Sequence, residues 1–295
     1  MKYSSLYVIV ALSVVAVLIL GIIFAHYSNR MSVKSPLNAS EITPANVSLS
    51  YVSYLEAIVV VDNDPGNNNL RTTWGISMYI KADNMTMLFD AGPDPTVLKE
   101  NAKKLGLDLS KIDFIVISHE HGDHIGGLKC IAEIMGDKPI KVYVPKHMAS
   151  SAKKWIRGLG FNVIEIDRTT VIAKGVAVIG ELYGPPYEQA LAVNVKGRGL
   201  AIFVGCSHPG VDNIVKKAVS DLNEKPYIVI GGFHLVGASE DRIASVADSL
   251  IKLGLKKIYP MHCSGDGIRG YISEKYPEVY GDGGVGLKVI IKERG

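Results

Sequence analysis

From residue 52 onward the apolar positions alternate between two rhythms. Short Val- and Ile-rich runs of strand length are followed by windows in which apolar residues recur every three or four positions, as in helices with one buried face. Val52–Val61 runs into Asp62-Asn63-Asp64-Pro65-Gly66, a strand entering a turn. Gly75–Ile80 and Met85–Phe89 flank Asp83-Asn84 as a hairpin, and Thr96–Leu105 has helical spacing before Gly106. Asp113–Ile117 predicts a strand, Ile125–Met135 a helix, Ile140–Val144 a strand and Ala149–Arg157 a helix. Strands then follow at Asn162–Ile166, Val176–Ile179, Ala190–Val195 and Leu200–Val204. Helices at Val211–Leu222 and Asp241–Leu253 alternate with strands Tyr227–Ile230 and Lys257–Tyr259, and Val285–Ile291 closes the chain. Two halves therefore each run strands first and helices later. Helices of this kind cover sheets, so the fold class is α/β. Two sheets packed face to face with helices outside is the preferred arrangement; periodicity by itself does not separate it from one doubly wound sheet.

The first residues follow a different rule. Leu6–Ala25 is a run of 20 residues without a charge, long enough at about 1.5 Å per residue to span a bilayer core of roughly 30 Å. A removable signal has a shorter apolar core and a small-residue exit, which Phe24-Ala25-His26-Tyr27-Ser28 does not supply. Residues 1–27 are therefore expected to form a single N-terminal transmembrane anchor, residues 28–50, rich in Ser, Asn and Pro, a flexible linker, and residues 51–295 one globular domain. Lys2 on one side and Arg30 and Lys34 on the other nearly balance. The sequons at Asn38, Asn46 and Asn84 lean the domain toward the extracytoplasmic side.

Composition narrows the partners. A net charge of +3 across 295 residues argues against nucleic acid, and Lys153-Lys154-Trp155-Ile156-Arg157 reads as a solvated helix face. Three scattered cysteines give no disulfide framework. Eight histidines are present, and three of them fall within His119-Glu120-His121-Gly122-Asp123-His124. In an extended loop alternate side chains share a direction, so His119 and His121 can converge on one cation while Asp123 and His124 turn toward a second. Neutral imidazole and carboxylate suit zinc, iron(II) or manganese, and two adjacent metals can clamp and activate a water. An apolar strand precedes the motif and Gly126-Gly127-Leu128 follows it, the place where α/β proteins put chemistry.

Three further strand ends carry candidates. His208, in Gly205-Cys206-Ser207-His208-Pro209-Gly210, and His262, in Met261-His262-Cys263-Ser264, are expected ligands. Cys206 is either a thiolate ligand or a small buried hydrophobe. His234 follows Gly231-Gly232-Phe233, where backbone amides can approach an anion and the imidazole can act as acid or base. Asp90, after Leu88-Phe89, is expected to orient a ligand histidine or to cap the next helix. Cys130 reads as core; His26 and His147 read as bystanders.

These motifs together resemble the metallo-β-lactamase superfamily, on Leu88-Phe89-Asp90-Ala91-Gly92, the His-x-His-x-Asp-His run and the strand ends at 205–208 and 260–263. Val61-Asp62-Asn63, Trp74-Gly75-Ile76-Ser77, Gly231-Gly232-Phe233-His234-Leu235 and His262-Cys263-Ser264-Gly265 resemble the branch of dihydropterin–ribofuranosylaminobenzene phosphate synthase-like proteins. The resemblance spans roughly residues 52–292. It implies an αββα sandwich in which His119, His121 and His208 hold one metal and Asp123, His124 and His262 the other, most simply two Zn2+ ions. Many members of the superfamily place a metal-bridging aspartate where this chain has Cys206, which leaves open whether Cys206 bridges and how many metals bind. The leading expectation is a membrane-anchored metal-dependent hydrolase acting on a phosphorylated or ester-type small anionic molecule, with Asp123 shuttling a proton and His234 holding the anion. A pterin-transferring synthase is the second, and a non-catalytic metal-binding sensor module the third.

Overall fold

The computed structural model describes residues 47–66 and 69–295. The expected transmembrane anchor and most of the linker lie outside the described residues, among which no helix is long and apolar enough to cross a membrane.

The strands are β1 (Tyr54–Val61), β2 (Ser77–Ala82), β3 (Met85–Phe89), β4 (Phe114–Val116), β5 (Lys141–Pro145), β6 (Asn162–Ile166), β7 (Thr170–Ala173), β8 (Val176–Tyr183), β9 (Tyr187–Val195), β10 (Gly199–Val204), β11 (Pro226–Gly232), β12 (Lys257–Met261) and β13 (Lys288–Lys292). One sheet has the order β13-β1-β2-β3-β4-β5-β6 and the other β12-β11-β10-β9-β8-β7. The helices are α1 (Pro95–Lys104), α2 (Gly122–Ile125), α3 (Leu128–Met135), α4 (Ser150–Gly158), α5 (Val211–Leu222), α6 (Glu240–Lys252) and α7 (Asp266–Lys275).

Alternation along the strands divides the apolar side chains between layers. Met78, Ile80, Met87 and Phe89 from the first sheet meet Val178, Leu191, Val193 and Phe203 from the second, with the Phe89 and Phe203 rings 6.5 Å apart. The opposite faces pack on helices: Leu88, Ile115 and Val142 on Val97, Leu128 and Ile156, and Ile202, Val204 and Val229 on Val215, Val246 and Ile268. Burying such a side chain contributes about 1.5–3 kcal/mol. The result is a helix–sheet–sheet–helix sandwich, which resolves the choice left open by periodicity.

Helix ends follow local chemistry. Asp94 caps α1 by accepting from the Thr96 and Val97 amides, Pro95 opens the helix, and Lys103 and Lys104 complement its C-terminal dipole. The helix expected over 125–135 is instead two helices. At Gly126-Gly127 the chain lies against the loop after β3, where the Gly127 amide donates to Gly92 O at 2.9 Å. Two elements escaped the pattern. β7 is short and only partly buried. Helix α7 carries Gly267 and Gly270, which lower helix propensity, yet buries Ile268 and Ile272 one turn apart.

Strands β3 to β6 are parallel, as are β10 to β12. Their carboxyl ends in both sheets carry the residues singled out above.

Candidate metal centre

Each functional side chain leaves a strand end through a sharp turn. Asp90 follows β3, Ser118 and His119 follow β4, Cys206 to His208 follow β10, His234 follows β11 and His262 follows β12. Asp90, Ser207, His234 and His262 all adopt positive φ, between 49° and 62°. Residues other than glycine pay for that conformation, and such strain collects where side chains must be aimed. The two others among the described residues, Asp83 and Asn223, sit at a hairpin tip and a helix end.

Four imidazoles are held from behind by their Nδ1 atoms. His124 Nδ1 donates to Asp90 Oδ2 at 2.7 Å. His208 Nδ1 donates to Glu188 Oε2 at 2.9 Å, and His262 Nδ1 to Asn63 Oδ1 at 2.8 Å. His119 Nδ1 donates to Ser118 Oγ at 2.9 Å, whose own hydrogen goes to Asp90 Oδ2 at 2.7 Å. With Nδ1 engaged, the Nε2 lone pairs turn inward. This outer acceptor sets the tautomer and raises the basicity of a metal-ligating histidine.

The inward atoms gather around Cys206. Asp123, His124, Cys206 and His262 bring one donor atom each to within 4.8 Å of one another, and so do His119, Cys206 and His208. His124 Nε2 is 3.2 Å from Cys206 Sγ. Asp123 Oδ2 lies 3.3 Å from His262 Nε2 and 3.6 Å from His124 Nε2. His262 Nε2 is buried and makes no hydrogen bond, so it and the carboxylate converge on a shared point. His121, more exposed, adds Nδ1 at 3.1 Å from His119 Nε2. Nitrogen, oxygen and sulfur donors aimed at common points fit divalent cations. The expected ligand residues are thus brought together, with Cys206 at the junction of both groups.

The electrostatics favour the unprotonated form at His119 and Asp123, and a charged ring at His124, which a cation would have to displace. Burial, with His124, His208 and His121 nearby, pushes His119 well below the usual imidazole range. Burial opposes ionisation of Asp123, but His262 and His124 hold its carboxyl down to about 2. Burial also opposes charge on His124, but the Asp90 carboxylate prevails and holds it up to about 9.

His234 reaches only the rim. It is exposed, with its ring 4.4 Å from that of His208. The expectation that the Gly231-Gly232 amides cradle an anion is corrected at Gly232, whose amide is spent on Gly205 O at 2.8 Å. His147 pairs with Glu181 away from the cluster, and Cys130 is buried on α3.

Two supporting residues carried no motif. Glu188, at the start of β9 and wholly buried, accepts from the amides of Cys206, Ser207 and His208 as well as from the His208 ring. Burial alone would raise its carboxyl, but these donors hold it below the usual range. Gln189 Nε2 crosses to Ile117 O at 2.8 Å and Tyr143 O at 3.1 Å, fastening β9 to the ends of β4 and β5. A charged and an amide residue opening an apolar strand is the signal that could have marked them. Gly205 is required by close approach: a Cβ there would fall 2.1 Å from Ser118 Oγ and 3.0 Å from Glu188 Oε1. Trp74, 55% exposed, lies with its ring 4.8 Å from that of His262.

Fold and site together define a class, the mixed α/β two-sheet fold of the metallo-β-lactamase superfamily. A β-lactamase superfamily domain model matches residues 85–182. A crystal structure of a metal-dependent hydrolase of the β-lactamase superfamily superposes with a TM-score of 0.69 at 25% identity, covering 81% of this chain and 100% of that one. The chain is 31% identical over 251 residues to the 7,8-dihydropterin-6-methyl-4-(β-D-ribofuranosyl)-aminobenzene-5′-phosphate synthase of Methanocaldococcus jannaschii, covering 69% of this chain and 85% of that protein. It is 29% identical over 242 residues to an uncharacterised protein of the same organism, covering 70% and 90% respectively. The chain belongs to the metallo-β-lactamase superfamily, in the branch of the dihydropterin–ribofuranosylaminobenzene phosphate synthase-like proteins.

Proposed function

We propose that the protein is a metal-dependent hydrolase of a small anionic molecule bearing a phosphoester or ester bond. In this reading His119, His121 and His208 hold one divalent cation and Asp123, His124 and His262 a second, with Cys206 between them; zinc is the first candidate, iron(II) and manganese the others. The observation that carries it is the convergence of two donor groups on Cys206, with His262 Nε2 buried and unbonded among them. Bound cations would supply an acidified water and stabilise negative charge developing on the substrate. The chain's own groups do the rest. Asp90, Glu188, Asn63 and Ser118 engage each Nδ1 and turn each Nε2 inward. Asp123, half-buried and ionised, accepts the proton released when water attacks. His234, at the rim, donates to an anionic group of the substrate.

Hydrolysis of bis-p-nitrophenyl phosphate by zinc-loaded protein tests this directly. Activity is expected to vanish on chelation, to return with zinc, and to fall about 100-fold or more in His119→Ala. No turnover by metal-loaded protein, with His119→Ala altering only ligand affinity, would favour a binding module instead.

A second reading is favoured by the 31% identical relative, which is named as a synthase. The exposed Trp74 ring beside His262 offers a face on which a planar ring can stack. Diphosphate release from a pterin diphosphate in the presence of an aromatic amine would select it. Attachment to a membrane through residues 1–27 also belongs to the proposal, supported by the uncharged run Leu6–Ala25; recovery of the full chain in the membrane fraction, released by detergent and not by salt, is the expected result.

A further inference from the structure

A third donor group shares Cys206 and His234 with the proposed site and adds Cys263, which the proposed reaction does not use. Cys206, His234 and Cys263 also bring donor atoms to within 4.8 Å of one another. Cys206 follows β10 and Cys263 follows β12, so the strand between them, β11, decides how closely they approach. At the end of β11 stands Gly232, where a Cβ would fall 2.7 Å from Cys263 Sγ and 3.3 Å from the Cys206 Cα. Any larger residue would stand between the two cysteines. The buried Cys263 thiol donates to Cys206 O at 3.6 Å, and His234, which belongs to the same donor group, is exposed. Cys130, on α3, is on the far side of the first sheet from this group.

We propose that Cys206 and Cys263 are a reversible oxidation site, a disulfide whose formation withdraws the Cys206 sulfur from the metal positions. The two sulfurs lie within 4.8 Å of one another, and the bond requires them to close to about 2 Å. The oxidant is a peroxide. The Cys263 sulfur attacks one peroxide oxygen, the O–O bond breaks, and a sulfenic acid and one water form. The Cys206 sulfur then attacks the Cys263 sulfur, expelling the hydroxyl as a second water and forming the S–S bond. Two thiols are oxidised, one peroxide is reduced to two waters, and both thiol protons leave in water. Because Cys206 Sγ lies 3.2 Å from His124 Nε2, the sulfur serves either the metal positions or Cys263. Only this competition rests on the hydrolase reading; the cross-link does not.

The test uses the reduced full-length chain, metal-stripped or zinc-loaded, treated with hydrogen peroxide, denatured, alkylated with iodoacetamide and analysed by peptide mass. The expected product is a linked pair of peptides containing Cys206 and Cys263, lost on treatment with dithiothreitol, with Cys130 alkylated. Free zinc at ten times its dissociation constant is expected to slow cross-linking about tenfold, since it protects in proportion to occupancy. Cys263→Ser, with the same zinc content as the parent, is expected to give no cross-link and to leave Cys206 alkylated, whereas Cys206→Ser is expected to let Cys263 proceed to the sulfinic acid. Recovery of Cys206 and Cys263 separately alkylated or separately oxidised would overturn the proposal. A cross-link that forms equally fast in protein shown by elemental emission to hold zinc would overturn the competition while leaving the metal centre standing. Protein that holds no zinc but still cross-links would instead sink the hydrolase reading and support the oxidation site.

Discussion

The first half of the sandwich delivers its donors in one stretch, His119, His121, Asp123 and His124, whereas the second half delivers His208, His234 and His262 singly from the ends of three neighbouring strands. The first set is arranged locally: two extended residues leave β4, and the turn of α2 then presents Asp123 and His124. The second set is arranged by the register of β10, β11 and β12, and its loop at 206–208 is organised by one carboxylate from β9. The hexapeptide therefore depends on one buried acid, Asp90, and the 206–208 loop on another, Glu188, and the difference between these acids can be measured.

Glu188→Ala is expected to have the largest effect. It strands three backbone amides and the His208 ring in the interior, a loss on the order of 4 kcal/mol in denaturant-unfolding free energy. The metal position that includes His208 should weaken with it by about 10–100-fold, read by competition with a chromophoric chelator. Asp90→Asn is expected to be milder. The amide keeps one acceptor for the Ser118 amide but loses the charge that supports His124, so about 2 kcal/mol and about tenfold in the affinity of the position that includes His124 are expected. If both variants weakened the same metal equivalent, the division of labour between the halves would be broken. Trp74→Ala, which removes a largely exposed ring, is expected to change stability by less than about 0.5 kcal/mol and to leave metal content intact. A raised KM for substrates with a planar ring, and not for those without, would sharpen the role of this rim.

How much of this was legible in the sequence follows the same division. The hexapeptide could be read because its candidate donors are neighbours in the chain, and the αββα layering because alternation and helical spacing are local signals. His208 and His262 could be read only because each follows an apolar strand. Glu188 could not be read, since what makes it functional is the curl of residues 206–208 over it, which no spacing encodes. Cys206 was placed at the right strand end, but its contact with His124 and its approach to Cys263 depend on two sheets meeting. Helix α7 was missed because Gly267 and Gly270 argue against it locally, and burial of Ile268 and Ile272 outweighs that preference.

The central claim, that donors from both halves of the sandwich hold two cations side by side, is tested most directly by counting metal in the purified, reduced protein after incubation with zinc and removal of the excess. About two equivalents are expected, both lost to a strong chelator. Protein that retains no metal while remaining folded would contradict the claim.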